Sequence, residues 1–381
     1  MFNGRFISES AVIVLMTYPF FSVYVHIPFC KKKCNYCSFY SLTDITLIGD
    51  YLNSVNKEIE IYKDLIAEKK DKYKTIYFGG GTPSFLSLED TEYLLDLFNK
   101  IKSLKNLYEA DFELNPESVS EDKLKILKEF GINRVSVGVQ SSNDEILNFL
   151  GRVHGYKDFL KKYDIIIKYF ENVSLDLIYG IPGQSEKDLL KDLDNITSLS
   201  PKHISLYALE THKNTFFENL KIDEEKQSDY YFLIRDFLVG KGYIHYEISN
   251  FALNGYFSKH NLNYWDRGEY LGLGPSASSF ISNKRWKNKS DLKAYIRGLN
   301  NGKIEFEHME ELDEKDELNE KLMLELRKME GLDLNSEVYN VFKEKIEEQI
   351  KKGYMEILNG KVKIKKDFLF VSNKIISDTM F

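Results

Sequence analysis

Cysteine occurs only three times in this chain of 381 residues, at Cys30, Cys34 and Cys37, inside the stretch "VYVHIPFCKKKCNYCSFYS" with the spacing C-x3-C-x2-C. Three thiols cannot build a disulfide framework. So dense a group in an otherwise cysteine-free chain reads as metal binding in a reducing compartment, which makes the cytoplasm the expected location. A structural zinc site wants four protein ligands, and with no fourth cysteine His26 is the only nearby substitute. An iron–sulfur cube has four irons, so three thiolates leave one iron open to an external ligand. A zinc knuckle completed by a histidine and a cluster with an open corner are both chemistries for this loop.

The elements around the cysteines must hold them. Between Val23 and Glu210 short β-rich runs alternate with longer amphipathic stretches, the pattern of βα units and a parallel sheet. Six strands are predicted, beginning near Val23, Thr75, Ala110, Arg134, Asn172 and His203, with helices starting after Ser87, Ser120 and Ser185. In a β/α barrel the reactive groups lie at the carboxyl ends of the strands. The cysteines follow strand one, "GGGTP" (Gly79 to Pro83) follows strand two, Glu113 and Asn115 close strand three, Gln140 closes strand four, and Asp176 lies near the end of strand five. Gly79, Gly80 and Gly81 let a backbone approach a ligand closely, and the guanidinium of Arg152 suits a carboxylate.

Composition limits the partners. With 52 Lys+Arg against 59 Asp+Glu the formal charge is -7, which argues against a broad electrostatic footprint for nucleic acid and favours a small-molecule or protein partner. The apolar "AVIVLMTYPFF" is too short to span a bilayer; residues 1–19 read as a leader, with Met16 as an alternative start and room for peripheral membrane contact. The barrel is expected over 20–245 and a smaller domain over 246–381. That domain is expected to end in a winged-helix-like unit, in which Asn359-Gly360 is a hairpin signal.

The cysteine spacing, with Tyr36 just before the last thiol, resembles the signature of radical S-adenosylmethionine enzymes. The runs "YVHIPFCKKKCNYCSF", "YFGGGTPSFL", "ELNPESV", "GINRVSVGVQSSNDEILNFLGRVH" and "LDLIYGIPGQ" resemble, in this order, the oxygen-independent coproporphyrinogen III oxidase (HemN) group. The resemblance implies a partial (β/α)6 radical SAM barrel and one [4Fe-4S] cluster on Cys30, Cys34 and Cys37. It implies S-adenosylmethionine contacts at Tyr24, Tyr36, Gly80, Gly81, Thr82 and Glu113, with a second set at Gln140, Arg152 and Asp176. The oxidase carries a further cysteine two residues past the motif, where this chain has Phe39. The HemW branch, proposed haem chaperones, lacks that cysteine and carries H-N-x-x-Y-W, here His260, Asn261, Tyr264 and Trp265. The implied function is therefore haem binding and delivery to an acceptor protein, with an electron donor for the cluster, by an oxidase-like protein without the oxidase activity. The alternative is the decarboxylating oxidase itself. Read from the residues alone, "HNLNYW" is either a haem contact through an imidazole and two aromatic faces, or a capped turn with His260 hydrogen-bonded and the aromatics in the core.

Overall fold

The computed structural model describes residues 19–381; the expected leader and the alternative start at Met16 fall outside the described residues, Pro19 apart. Six parallel strands make the centre: β1 (Phe21–Ile27), β2 (Tyr73–Gly80), β3 (Glu109–Leu114), β4 (Arg134–Gln140), β5 (Val173–Tyr179) and β6 (His203–Ala208). They lie side by side in chain order, as the βα alternation predicts. Parallel neighbours need long returns, and helices such as Leu88–Ile101, Glu121–Phe130 and Glu186–Ser198 supply them. The serines predicted to start these helices do so. Ser87 Oγ accepts from the Asp90 amide at 3.0 Å, Ser120 Oγ from Lys123 at 3.2 Å, and Ser185 forms a full capping box with Asp188.

The strands have two unlike faces. Val23, Val25 and Ile27 on β1, Ala110, Phe112 and Leu114 on β3, and Val135, Val137 and Val139 on β4 join the core shared with the helices. Between them lie Ser22, Tyr24 and His26, then Glu109, Asp111 and Glu113, then Arg134 and Ser136. A parallel sheet covered by helices on both sides is apolar on both. A polar second face marks the inside of a partial barrel, where a ligand cavity can form.

The sheet does not end at the boundary expected at residue 245. β7 (Ile244–Glu247) and β8 (Asn250–Ala252) form a hairpin, and β8 pairs antiparallel with β6. On the other edge β9 (Tyr270–Leu273) pairs parallel with β1, and β10 (Ser278–Ile281), β11 (Lys284–Asn288) and β12 (Phe306–Glu311) follow antiparallel. The twelve strands run β12-β11-β10-β9-β1-β2-β3-β4-β5-β6-β8-β7. The physical reason is edge satisfaction: six parallel strands that do not close leave unpaired backbone on β1 and β6, and the segment after residue 245 covers both.

A separate antiparallel sheet comes only in the tail: β13 (Leu332–Asp333), β14 (Met355–Leu358) and β15 (Lys361–Ile364), with the Asn359-Gly360 turn joining the last two. Helices Glu314–Arg327, Glu337–Lys351 and Ser372–Thr379 accompany it. Among the described residues no helix is long and apolar enough to cross a membrane.

One buried carboxylate ties the added strands to the barrel. Glu58, on helix Ile48–Ile61, accepts from the Gly274 amide at 2.8 Å, Tyr295 Oη at 2.6 Å and Asn288 Nδ2 at 2.6 Å. Burial pushes its carboxyl up to about 7 while these three donors pull the other way. Glu58→Ala removes the acceptor of three buried donors, of which Asn288 Nδ2 keeps a bond to the Gly274 carbonyl, and is expected to cost about 2–4 kcal/mol in urea unfolding. A loss below about 0.5 kcal/mol would show that the network does not fasten the edge.

Candidate cluster and ligand site

The cysteine loop has no regular structure, so specific hydrogen bonds must shape it. The Cys30 amide donates to the Leu42 carbonyl at 2.9 Å and Leu42 N donates to the Pro28 carbonyl at 2.6 Å, folding the loop back on its own entry. Asn35 pins the far side: its amide donates to the Leu150 carbonyl at 3.0 Å, its Nδ2 to the Phe149 carbonyl at 2.8 Å, and its carbonyl accepts from Phe217 N at 3.2 Å. Beneath it a small apolar cluster of Ile146, Leu150, Ile178, Ile181, Leu209 and Phe217 takes the ring of Tyr36 against it.

A chain of side chains then joins two of the thiols across three strand ends. Thr82 Oγ1 donates to Cys30 Sγ at 3.5 Å and accepts from Asn115 Nδ2 at 2.8 Å. Asn115 Oδ1 accepts from Arg152 Nη2 at 2.8 Å, which also reaches the Gly138 carbonyl at 2.9 Å, and Arg152 Nη1 lies 3.6 Å from Cys34 Sγ. Arg152 Nε has no partner among the described residues. The Arg152 guanidinium is buried with this contact to Cys34. Burial pushes the Cys37 thiol up to about 11 and raises Cys30 as well.

The glycine run makes room on the same side. Gly80 has φ +112°, and a Cβ there would meet the His26 ring at 2.7 Å; one on Gly81 would meet the Phe29 carbonyl at 2.8 Å and Cys30 Sγ at 3.0 Å. His26 cannot complete a zinc site. Its Nε2 reaches the Tyr40 carbonyl at 2.8 Å, so that nitrogen carries the proton, and Nδ1 accepts from Tyr24 Oη at 3.0 Å. Among the described residues no three His, Cys, Asp or Glu side chains gather as a single ion needs. The three thiols all stand on one cavity wall.

Below this rim the inner face of β3 carries Glu113, Asp111 and Glu109 in descending order. Glu113 accepts from Tyr77 Oη at 2.8 Å and from the Gly80 amide at 3.1 Å. Burial pushes its carboxyl up to about 8, with Asp176 and Asp111 adding like-charge repulsion against the Tyr77 hydrogen bond. Burial likewise takes Asp176, midway along β5, to about 6. Asp111 pairs with fully buried Arg134 at 2.5 Å. Gln140 sits at the end of β4 with φ +70°, in the left-handed region, where the strand bulges out of register with β5.

One cavity of about 710 Å³ joins these groups. Its wall includes the three cysteines and all nine residues expected at S-adenosylmethionine, and it extends to Asn261 and Trp265. His260 and Tyr264 are not part of that wall. His260 is 1% exposed, its Nδ1 bonds Thr75 Oγ1 at 2.9 Å and its Nε2 bonds Tyr264 Oη at 2.7 Å. The expectation of an open imidazole at His260 is therefore corrected: both ring nitrogens are engaged, because the helix Lys259–Trp265 lies against β1 and β2 on the inner face. Glu109 anchors that helix, accepting from the amides of Lys259 and His260 at 2.9 Å each and from Ser258 Oγ at 3.2 Å.

Residues 24–196 match the Radical SAM superfamily. The chain is 36% identical over 321 residues to the heme chaperone HemW of Bacillus subtilis, covering 82% of this chain and 84% of that protein. It is 36% identical over 350 residues to the heme chaperone HemW of Lactococcus lactis, covering 90% of each. The chain belongs to the HemW family. The fold is also that of Escherichia coli coproporphyrinogen III oxidase (HemN), with a TM-score of 0.81 at 22% identity, covering 94% of this chain and 90% of that one.

In this HemW-family chain Tyr77 and Arg134 also stand on the wall, and Asp111 pairs with Arg134; no site role was expected of the three, although the polar–apolar alternation of β2 to β4 carries them. His154 is buried with Nδ1 3.2 Å from Glu117 Oε2. Phe39 is 65% exposed and stands on the cavity wall, so the position that separates the two branches faces the shared space.

Glu113 gives a test with a fixed sign. Its carboxyl holds a proton in the folded chain that the unfolded chain releases near the ordinary glutamate value, so this contribution to stability is present at low pH and is lost as pH rises through about 8. In the cluster-free protein Glu113→Gln should raise the thermal midpoint more at pH 8.5 than at pH 5.5. An equal or reversed difference at the two pH values would contradict the buried-acid reading.

Proposed function

We propose that this protein is a haem chaperone that holds one [4Fe-4S] cluster and S-adenosylmethionine, binds haem and passes it to an acceptor protein. The observation that carries the reading is the single cavity wall running from Cys30, Cys34 and Cys37 to Asn261 and Trp265. Its volume falls in the range of about 300–1,000 Å³ usual for ligand and cofactor sites.

Cys30, Cys34 and Cys37 would hold the cluster and leave its fourth iron to S-adenosylmethionine. The bound pair supplies one-electron reductive chemistry, for which an electron donor is needed. The chain's own residues bind and orient. Gly80, Gly81 and Thr82 leave room beside Cys30 for the ligand, and Glu113 is placed as acceptor for its amino group, releasing a proton as that cation arrives. Arg152, with its spare Nε, is placed for a carboxylate without letting go of Asn115. Tyr24, Tyr36, Gln140 and Asp176 complete the wall. A reducing compartment such as the cytoplasm keeps the three thiols free for ligation.

Haem is read at the other part of the wall, where Trp265 offers a ring face and Asn261 an amide. His260 and Tyr264 serve it by holding their helix in place. Phe39 stands where the oxidase has a cysteine, which favours haem handling over decarboxylation of coproporphyrinogen III. The anaerobically reconstituted protein should bind haem saturably in an absorbance titration, Trp265→Ala should weaken it about tenfold through the lost aromatic contact, and coproporphyrinogen III should be returned unchanged. Equal haem binding by the variant, or S-adenosylmethionine-dependent conversion of the porphyrinogen, would overturn the assignment.

A further inference from the structure

The cavity has a second charged corner that the cluster and S-adenosylmethionine do not use. Arg327, the last residue of helix Glu314–Arg327, stands on the wall beside Trp265, its guanidinium carbon 5.7 Å from the indole centroid. One of its five N–H donors is spent, from Nη2 to Asn373 Oδ1 at 2.7 Å, and Glu247 acts on it by charge without a hydrogen bond between them. An arginine with spare donors beside an aromatic face on a cavity wall suits a planar anion. Glu247 borders the same corner. It is 1% exposed, its Oε2 accepts from Ser249 N at 3.2 Å, and its Oε1 has no partner among the described residues. An unpaired carboxylate oxygen asks for a donor rather than for an anion, so Glu247 borders the anionic subsite and acts on it only through its charge interaction with Arg327.

The apolar surroundings fix the ligand class. Trp265 and Phe370 stand on the wall with Arg327, and Tyr207 and Tyr231 lie further along it. We propose that Arg327 is a carboxylate-recognition residue for a flat aromatic ligand: it takes a propionate of the haem, whose ring edge lies over Trp265. The inference rests on the haem reading above and adds to it the side of the porphyrin that enters this corner.

Haem and haem dimethyl ester, which lacks the ionised propionates, are titrated into reconstituted wild-type protein and Arg327→Gln, with S-adenosylmethionine binding measured on both. Wild-type protein should bind haem about tenfold or more tightly than the ester, Arg327→Gln should bind haem that much more weakly, and the ester should not distinguish the two proteins. S-adenosylmethionine affinity should be the same in both, which separates a haem carboxylate from that of the other ligand. Equal haem binding by the variant, equal loss of haem and ester, or a weakened S-adenosylmethionine isotherm each overturns the role of Arg327 and leaves the chaperone reading standing. Failure of wild-type protein to bind haem at all overturns both. If Arg327→Gln does not fold, the wild-type comparison of haem with its ester decides: equal affinities reject the subsite.

Discussion

Strand β3 sets three carboxylates in a column on the inside of the barrel, and the rest of the site is arranged to satisfy them. A buried carboxylate must find donors or keep its proton. Glu109 at the lower end finds them in the amides of Lys259 and His260 and in Ser258 Oγ, which fastens the helix bearing the hexapeptide. Asp111 finds Arg134 and Ser136 on β4. Glu113 at the upper end has only Tyr77 and one amide, and it is the acid whose proton affinity rises to about 8. The two lower acids are consumed by structure; the upper one is left with capacity, next to the glycine run and above it the thiols. A cationic ligand group arriving there would meet a carboxylate that becomes fully ionised only on binding.

The same division runs through "HNLNYW". Four residues of one short helix can point in different directions, and here His260 and Tyr264, four apart, face inward and bond each other, while Asn261 and Trp265, also four apart, reach the cavity. A motif can thus be retained for two reasons at once, and its most reactive side chain need not be the one that touches the ligand. A hydrogen-bonded helix and a cavity-facing one are compatible here, because the two pairs of side chains leave the helix on different sides.

How much could be read in advance follows from periodicity. The six parallel strands, the serine caps and the strand-end residues are visible because βα units repeat a strong pattern over many residues, and the nine residues expected at S-adenosylmethionine follow from the family resemblance of the quoted runs. The strands added after β6 are three to six residues long, and two of them, β8 and β9, pair with β6 and β1, which lie more than 40 residues away in the chain. Nothing local encodes that pairing. Likewise Arg134 and Asp111 read as ordinary charged residues until the fold sets β3 beside β4 and removes water from both.

The tail illustrates why such long-range pairing matters for the cavity. Leu332, Val338, Phe342, Ile346, Val362 and Leu369 belong to the same continuous core as the barrel strands. The tail therefore does not hang from the barrel as an independent module; its packing fixes where Phe370, Ser372 and Asn373 stand on the cavity wall. Asn373 in turn holds Arg327, which ends the helix leading into the tail and lies one residue before the Lys328 bridge to Glu247. An open partial barrel leaves its lateral side unsealed. Here the cavity wall takes residues from β7, from helix Lys259–Trp265, from helix Glu314–Arg327 and from the last helix, four elements brought together only by the complete fold. A shift of any one of them alters the shape of the space beside Trp265 without touching the cysteine loop, so the two parts of the cavity can be tuned separately although they share a wall.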